Sequence, residues 1–404
     1  MQATRRDAQQ LAVAAVGMVV AVDDPWCGFR LVDGDGREVD EVTAFFRDMR
    51  ARDASLASVR SYGLALLRWY RFLWAVGVAW DRAGRSEARD FMLWLASTRK
   101  PARAGTAVVA PGSVNAVTHK ASPGVFYAAR TRRHNRSVVR AFYEFHRYEG
   151  GGPLLNPMPE RSGRDGERPD AHHNPMEPFV AGRRADFQAK LAKRQPPNIS
   201  DAAFDALFGA MPSNRDRAIL AFYISTGARA SELLGVTCDR VDIGQQLIGV
   251  RRKGSGALQW LPASPDAFVW LQLYRQDLAG QPFAGAGPLW LTLRRPFRPL
   301  NYPAMRAVLG RANASLGTNW TLHDLRHTAA RRMVADPRLS LVDVQWMLGH
   351  AHITTTQIYT EPATDEVVAR LRDHHRCRRT DEMVRGPAAG YRPEVLETLL
   401  GPIQ

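Results

Sequence analysis

The chain has 404 residues, 45% hydrophobic and 24% charged, which is enough apolar material for ordinary cores in two or more domains and excludes a disordered tail. Its 55 Lys and Arg against 40 Asp and Glu leave a net charge of +15, which points to a polyanionic partner, nucleic acid first and an anionic membrane surface second. The 3 cysteines, Cys27, Cys238 and Cys377, lie far apart with no CxxC pair; this excludes a disulfide scaffold, gives no support to a zinc site and fits a reducing, cytoplasmic setting.

The longest apolar run, Leu11 to Val22, is shorter than the roughly 20 residues a bilayer-spanning helix needs, so no transmembrane helix is expected. Arg5 and Arg6 ahead of it imitate a secretory signal. Val20, Ala21 and Val22 followed by Asp23 and Asp24 make a poor cleavage site, and the run is expected to stay as a packing segment. Residues Phe29 to Val39 predict a small hairpin around the Asp/Gly-rich turn Asp33 to Gly36, closing an N-terminal extension over 1–40.

From Glu41 the apolar spacing is helical. Val42, Phe45, Phe46 and Met49 share one face; Val59, Tyr62, Leu66, Trp69, Tyr70 and Leu73 recur at three and four; Ser86 is placed to cap a third helix burying Phe91, Met92, Trp94 and Leu95. Gly and Pro break the periodicity over 98–123, and helix returns through Val138, Val139, Phe142, Tyr143 and Phe145. A four-helix domain over 41–150 is the expectation. It holds 19 Lys and Arg against 8 Asp and Glu, an excess of 11 out of the chain's 15, so it is the part expected to touch phosphate. The arginines that open its last helix, Arg130, Arg132, Arg133, Arg136 and Arg140, could follow a DNA backbone; taken alone, such a row also suits a solvated helix face.

Residues 151–197 are rich in Pro, Gly, Arg and Lys and read as a basic linker, in which Phe179, Phe187 and Leu191 suggest docking on a neighbour. The next domain, 198–365, opens with Ser200 as a helix cap, then a buried helix over Ala218 to Ser225 that breaks at Thr226-Gly227 and resumes through Arg229, Glu232, Leu233 and Leu234. Leu247 to Arg252 and Leu258 to Leu261 alternate like strands about the turn Gly254-Ser255-Gly256, where Lys253 sits. Helices are expected over Pro265 to Leu278, Tyr302 to Leu316 and Thr321 to Val334. The fold class is mainly α with a small antiparallel β-sheet in this second domain.

Thr321 with Asp324, and Ser340 with Asp343, are spaced as capping boxes, and Gly349 supplies a left-handed helix stop from which His350 emerges. Thr354 with Gln357 marks a further helix start, which puts Tyr359 at the beginning of a short helix and able to face outward. Singly, each polar residue has an ordinary explanation: Arg229 could pair with Glu232, Arg326 with Asp324 or a carbonyl, Lys253 could be a solvated turn lysine, His323 a surface residue near a cap, His350 a packed loop histidine, and Tyr359 the edge of a core.

In order, however, Thr226-Gly-Ala-Arg229-Ala-Ser-Glu232, Lys253, His323-Asp-Leu-Arg326-His327, Leu348-Gly349-His350 and Tyr359 resemble the tyrosine recombinase (phage integrase) family, strongly over roughly 198–365. Ser55 to Tyr62 and Ser137 to Phe145 resemble its helical core-binding domain more loosely. The resemblance implies a two-domain DNA clamp that breaks and rejoins DNA through a 3′-phosphotyrosyl intermediate, with neither metal nor cofactor. Tyr359 would be the nucleophile, Lys253 the acid for the leaving 5′-oxygen, His323 the base toward Tyr359, Arg229 and Arg326 the phosphate clamp, His350 a phosphate donor and Glu232 a support. The chemistry is consistent by itself. A phenol with pKa about 10 is a poor nucleophile unless its proton is removed or its anion is favoured by cations, and guanidinium forks can neutralise charge growing on phosphorus.

The resemblance further implies double-stranded DNA as substrate, a homo-tetramer on synapsed DNA, accessory DNA-bending or directionality proteins, and service to a bacterial mobile element or phage, in the cytoplasm at the nucleoid. Val395, Leu396, Leu399 and Leu400, within the tail 366–404, are candidates for a helix packing on a second copy or on its own subunit. His374, His375 and Cys377 lack a fourth ligand for zinc. A type IB topoisomerase-like enzyme and a catalytically silent DNA-binding accessory protein stay open as alternatives.

Overall fold

The computed structural model describes residues 11–101, 110–161, 184–187, 189–190, 197–278, 286–350, 356, 359 and 372. The chain forms two compact units, Met1–Val114 with Ala121–Lys193, and Asn115–Lys120 with Arg194–Gln404. Leu11, Val13 and Val19 of the N-terminal apolar run pack against the core of the first unit. Among the described residues, no helix is long and apolar enough to cross a membrane.

In the first unit, β1 (Met18–Ala21) pairs antiparallel with β2 (Phe29–Val32), in register Met18 to Val32 through Ala21 to Phe29. This corrects the expected hairpin over Phe29 to Val39, of which a single bridge, Val32 to Glu38, is formed. The reason is local. The Asp33 carboxylate accepts from the N–H groups of Asp35 and Arg37, both at 2.9 Å, and helix α1 (Asp40–Ala51) starts too soon afterward for a second strand to extend. The partner strand comes instead from the N-terminal run, held by the Arg71 guanidinium, which donates to the carbonyls of Ala15, Val16 and Gly17. Gly63 lets this strand approach: a Cβ there would meet Phe46 at 3.0 Å and Val19 at 3.2 Å.

Helices α2 (Leu56–Val76), α3 (Arg85–Ser97) and α4 (Ala129–Tyr148) complete the expected four. Ser86 does not cap α3. The helix starts two residues earlier, with Gly84 as its cap residue, because the Glu87 carboxylate accepts from the Gly84 N–H at 3.0 Å and from the Ser86 hydroxyl at 3.0 Å. The core is aromatic. Phe142 packs edge-on against Phe45 and Tyr143, while the Trp69 indole donates to the Tyr143 hydroxyl at 3.1 Å and that hydroxyl donates to the Trp80 carbonyl at 2.8 Å. Phe187 of the linker docks on this core, with the Arg85 guanidinium 5.6 Å from its ring centre; Phe179 and Leu191 lie outside the described residues.

The second unit is built around α6 (Asn214–Thr226), which is buried on most of its surface against α8 (Pro265–Asp277) and α10 (Leu322–Ala335). Helices α5 (Asp201–Gly209), α7 (Ala230–Leu234), α9 (Tyr302–Leu316) and α11 (Leu341–Leu348) surround it. The two expected strands are β6 (Leu247–Arg251) and β7 (Leu258–Pro262), and β5 (Val241–Asp242) adds a third to give the antiparallel order β5-β6-β7. A second short pair, β3 (Glu160–Arg161) with β4 (Arg184–Ala185), belongs to the first unit.

Phe142 is fully buried among aromatic rings. Phe142→Ala should cost about 3–5 kcal/mol, read as a lower urea midpoint for unfolding of the first unit.

Candidate active site

Helix α6 ends at Gly227, whose φ of +62° reverses the chain, and α7 begins with Arg229 as its cap residue. The Glu232 carboxylate, in the capping-box position, accepts from the Arg229 N–H at 3.0 Å and from the Arg229 guanidinium at 2.7 Å. It also accepts from the Arg252 guanidinium at 3.1 Å and from the Lys253 N–H at 3.0 Å. Arg252 in turn donates to Gln259 at 2.6 Å and to the carbonyls of Trp346 and Met347 at 3.2 and 2.6 Å. One buried carboxylate therefore ties together the start of α7, the β6–β7 turn and, through Arg252, the end of α11. Burial alone would push Glu232 up; the N–H groups of Lys253 and Arg229 and the Arg229 guanidinium together hold it below the usual carboxylate value.

Helix α10 presents the second half. The Asp324 carboxylate accepts from the Thr321 N–H at 2.7 Å, and the Thr321 hydroxyl accepts from the Asp324 N–H at 3.3 Å. Asp324 also pairs with Lys120, so Arg326 is not its partner. Arg326 points inward, 4% exposed, and donates to the carbonyls of Gly227 at 2.7 Å and Leu348 at 2.8 Å. Burial, then the neighbouring Arg229, lowers its pKa to about 10, which leaves it cationic at neutral pH.

The α11 capping box forms as expected, with Ser340 and Asp343, and Gly349 stops the helix at φ +60°. A Cβ on Gly349 would meet the Arg252 guanidinium carbon at 2.9 Å, so glycine is required there twice over. His350 follows. Its Nε2 lies 3.0 Å from the Arg326 guanidinium and its Nδ1 2.9 Å from the Thr356 hydroxyl. The Thr356 carbonyl accepts from the Tyr359 N–H at 3.0 Å, and the Tyr359 hydroxyl lies 2.7 Å from Nδ1 of His327. Tyr359 is 7% exposed, against the expectation of an outward-facing residue, because it packs on Ala329, Ala330, Val344 and Leu348. The proposed cap Thr354 and Gln357 lie outside the described residues. Burial raises the Tyr359 pKa, opposed by the charge of Arg326.

Of the six expected catalytic residues, Arg229, Arg326, His350 and Tyr359 converge, and Lys253 joins them through its backbone bond to Glu232 while its side chain is exposed at the turn. His323 is exposed on the first turn of α10, its ring centre 4.2 Å from that of His327. Sequence reasoning assigned no role to His327, Arg252, Thr356 or Lys120. His327 stood within the quoted box; Arg252 looked like the end of a strand, and Lys120 lies 204 residues from its partner, a separation no local pattern bridges.

The arginine row on α4 is not one exposed face. Arg136 is buried and donates to the carbonyls of Asp186 at 2.5 Å and Pro159 at 3.3 Å, and Arg140 pairs with Glu160 and Glu144. Both side chains tie the linker to α4. Arg130 is exposed, and Arg132 and Arg133 are half-buried. The cluster His374, His375 and Cys377 and the tail residues Val395, Leu396, Leu399 and Leu400 lie outside the described residues.

The second unit gathers two guanidinium groups, imidazoles and a tyrosine hydroxyl beside a three-stranded antiparallel sheet, the arrangement that the resemblance to tyrosine recombinases leads one to expect. Residues 197–366 match the phage integrase family. Tyrosine recombinase XerD of Pseudomonas aeruginosa is 33% identical over 196 residues, 46% of this chain and 63% of that protein. XerD of Lacticaseibacillus casei is 32% identical over 190 residues, 45% of this chain and 63% of that protein, so the chain spans just under two thirds of these relatives. The fold is shared with a lambda integrase dimer bound to a COC′ core site (TM-score 0.53, 15% identity, 79% of this chain and 94% of that one). It is also shared with the Tn1549 transposon integrase in complex with a circular intermediate DNA (TM-score 0.52, 16% identity, 82% and 99%).

Glu232→Gln should cost about 3–5 kcal/mol in a thermal or urea melt, because it leaves the buried Arg252 without its anion. A pH effect follows from the imidazoles. Burial first, then nearby positive groups, lowers both His327 and His350 from 6.5 to about 4. The unfolded chain thus binds more protons below pH 6.5, and the stability these neutral rings contribute is present above that value and lost as pH falls toward about 4. Melting temperature measured across that window should drop, and His350→Gln should flatten the slope.

Proposed function

We propose that this protein is a site-specific DNA recombinase of the integrase type. The observation that carries the reading is the run of contacts from Arg326 through His350 and Thr356 to Tyr359, which couples the phosphate-clamping guanidinium to the turn bearing the nucleophile. Tyr359 attacks the scissile phosphate to form a 3′-phosphotyrosyl link. Arg229 and Arg326 hold the non-bridging oxygens and offset the charge growing on phosphorus, and His350 adds a donor to one of them. Lys253, at the exposed turn, protonates the departing 5′-oxygen, and a histidine of the α10 box receives the phenolic proton, the role the family resemblance gives to His323. The phosphotyrosyl bond conserves the energy of the broken one, so a 5′-hydroxyl from a partner duplex reverses the step without ATP.

The partner is double-stranded DNA, for which the excess of 11 positive charges over 41–150 supplies sequence-independent attraction, with Arg130, Arg132 and Arg133 as the remaining α4 contacts. Exchange between two duplexes needs several active sites, met by a homo-tetramer, with accessory DNA-bending or directionality proteins setting the outcome. Service to a bacterial mobile element or phage, in the cytoplasm at the nucleoid, fits the transposon and phage integrases that share the fold.

The test uses a library of nicked duplexes with randomised cores. Wild-type protein should leave a protein-linked DNA band on a denaturing gel, and the trapped cores should share a sequence. Tyr359→Phe should lose the band and keep the mobility shift, while Arg229→Ala and Arg326→Ala should form it about 10²–10³-fold more slowly. Binding by the wild type with no linked band would establish the accessory reading, and linked DNA that yields relaxation without recombinant junctions the topoisomerase one.

A further inference from the structure

We infer that His327, the second histidine of the α10 box, is the catalytic residue that takes the phenolic proton from Tyr359, a task the family resemblance gives to His323. The inference rests on the reading of Tyr359 as a phosphotyrosyl-forming nucleophile. Its basis is geometric. Nδ1 of His327 lies 2.7 Å from the Tyr359 hydroxyl, within the reach a general base requires. His323 and His327 stand one turn apart on α10 with ring centres 4.2 Å apart, the first exposed, the second half-buried beside the tyrosine ring at 5.6 Å. That order places His323 on the solvent side and His327 against the oxygen that must lose its proton.

The groups that face the His327 ring are His323, Asp324 and Arg326 from α10, Lys120 from the segment Asn115–Lys120, and His350 and Tyr359 from beyond α11. Burial and the positive members of this set hold the imidazole neutral at physiological pH. A neutral ring protonated at Nε2 offers its Nδ1 lone pair to the phenol. When DNA brings a phosphate to the arginines, the added negative charge raises the ring's proton affinity at the moment the step needs it. The step then balances: the Tyr359 proton moves to Nδ1, the new O–P bond forms, the bond from phosphorus to the 5′-oxygen breaks, and that oxygen takes a proton from Lys253. Religation runs the same transfers backward, the imidazolium returning its proton to the phenolate oxygen.

Asparagine carries an acceptor oxygen at the position of Nδ1 but cannot act as a base, so His327→Asn separates holding the hydroxyl from deprotonating it. On nicked duplexes recovered from the randomised library, this variant should bind DNA like the wild type and form the linked band about 10²-fold more slowly or worse. Its rate should climb steadily with pH, because the phenolate must then form unaided. A duplex with sulfur in place of the scissile 5′-oxygen, whose thiolate leaves without protonation, should restore Lys253→Ala and leave His327→Asn slow. In parallel, nitrogen-15 spectra of the full-length protein should show the His327 ring protonated at Nε2, with its Nδ1 signal moved by Tyr359→Phe.

A wild-type rate in His327→Asn, an equal loss at every pH, restoration by the sulfur duplex, or a ring protonated at Nδ1 would each overturn the inference. So would finding the alkaline rate profile in His323→Asn alone. All of these leave the linked band of the wild type intact; absence of that band defeats the underlying reading of Tyr359 itself.

Discussion

A single buried anion organises the second unit of the chain. The Glu232 carboxylate is held by two guanidinium groups and two backbone N–H groups, drawn from the start of α7 and from the β6–β7 turn. An unpaired carboxylate at that depth would be strongly unfavourable, and so would either guanidinium without it. Folding therefore settles the site as one unit: placing Glu232 fixes Arg229, sets the root of the Lys253 turn and, through Arg252, anchors the end of α11 from which His350 departs. Under the proposed function, the charges meant for phosphate are thus already oriented, which is the condition for stabilising a transition state without reorganisation.

The second half of the site obeys a complementary rule. Arg326 is buried with its charge spread over two helix-end carbonyls, those of Gly227 and Leu348, and each belongs to a helix stopped by a left-handed glycine or ending just before one. Those carbonyls are acceptors that a helix terminus leaves unpaired. The two stops therefore turn the chain and also provide the sockets that carry a cation to the centre of the site. The same reasoning explains why α10 is capped so firmly at Thr321 and Asp324: any fraying there would displace His323, Arg326 and His327 together.

Much of this was legible in the sequence, because it is written in local signals. Capping boxes at Thr321 and Ser340, the glycine stop at Gly349, the turn at Gly254 and the period of α2 all act over a few residues, and the structure carries them. Of the ordered Arg, Lys, His, Arg, His and Tyr, the structure brings Arg229, Arg326, His350 and Tyr359 together, while His323 and the Lys253 side chain are exposed. What stayed hidden depends on distant partners. Residues Met18–Ala21 pair with β2 because Arg71 and Gly63, far along the chain, receive them. Helix spacing alone cannot show that Pro159, Glu160 and Asp186 come to meet Arg136 and Arg140. Ser86 lost its capping role to a neighbouring carboxylate, a competition between two ordinary cap formers that composition does not decide.

Lys120 has a consequence for how the chain can be divided. It lies between helices of the first unit in sequence, yet its ammonium rests on Asp324 and above the Trp320 ring, 5.7 Å from the ring centre, while Asn115 donates to the Gly317 carbonyl at 2.9 Å. A truncation made at the obvious Pro-rich break would keep every residue of the α10 box and still strip the anion at the head of α10 of its counter-charge. Modularity in the covalent order and modularity in the electrostatics do not coincide in this protein, and exchanging its first unit for another would mean carrying a short piece of the old one along.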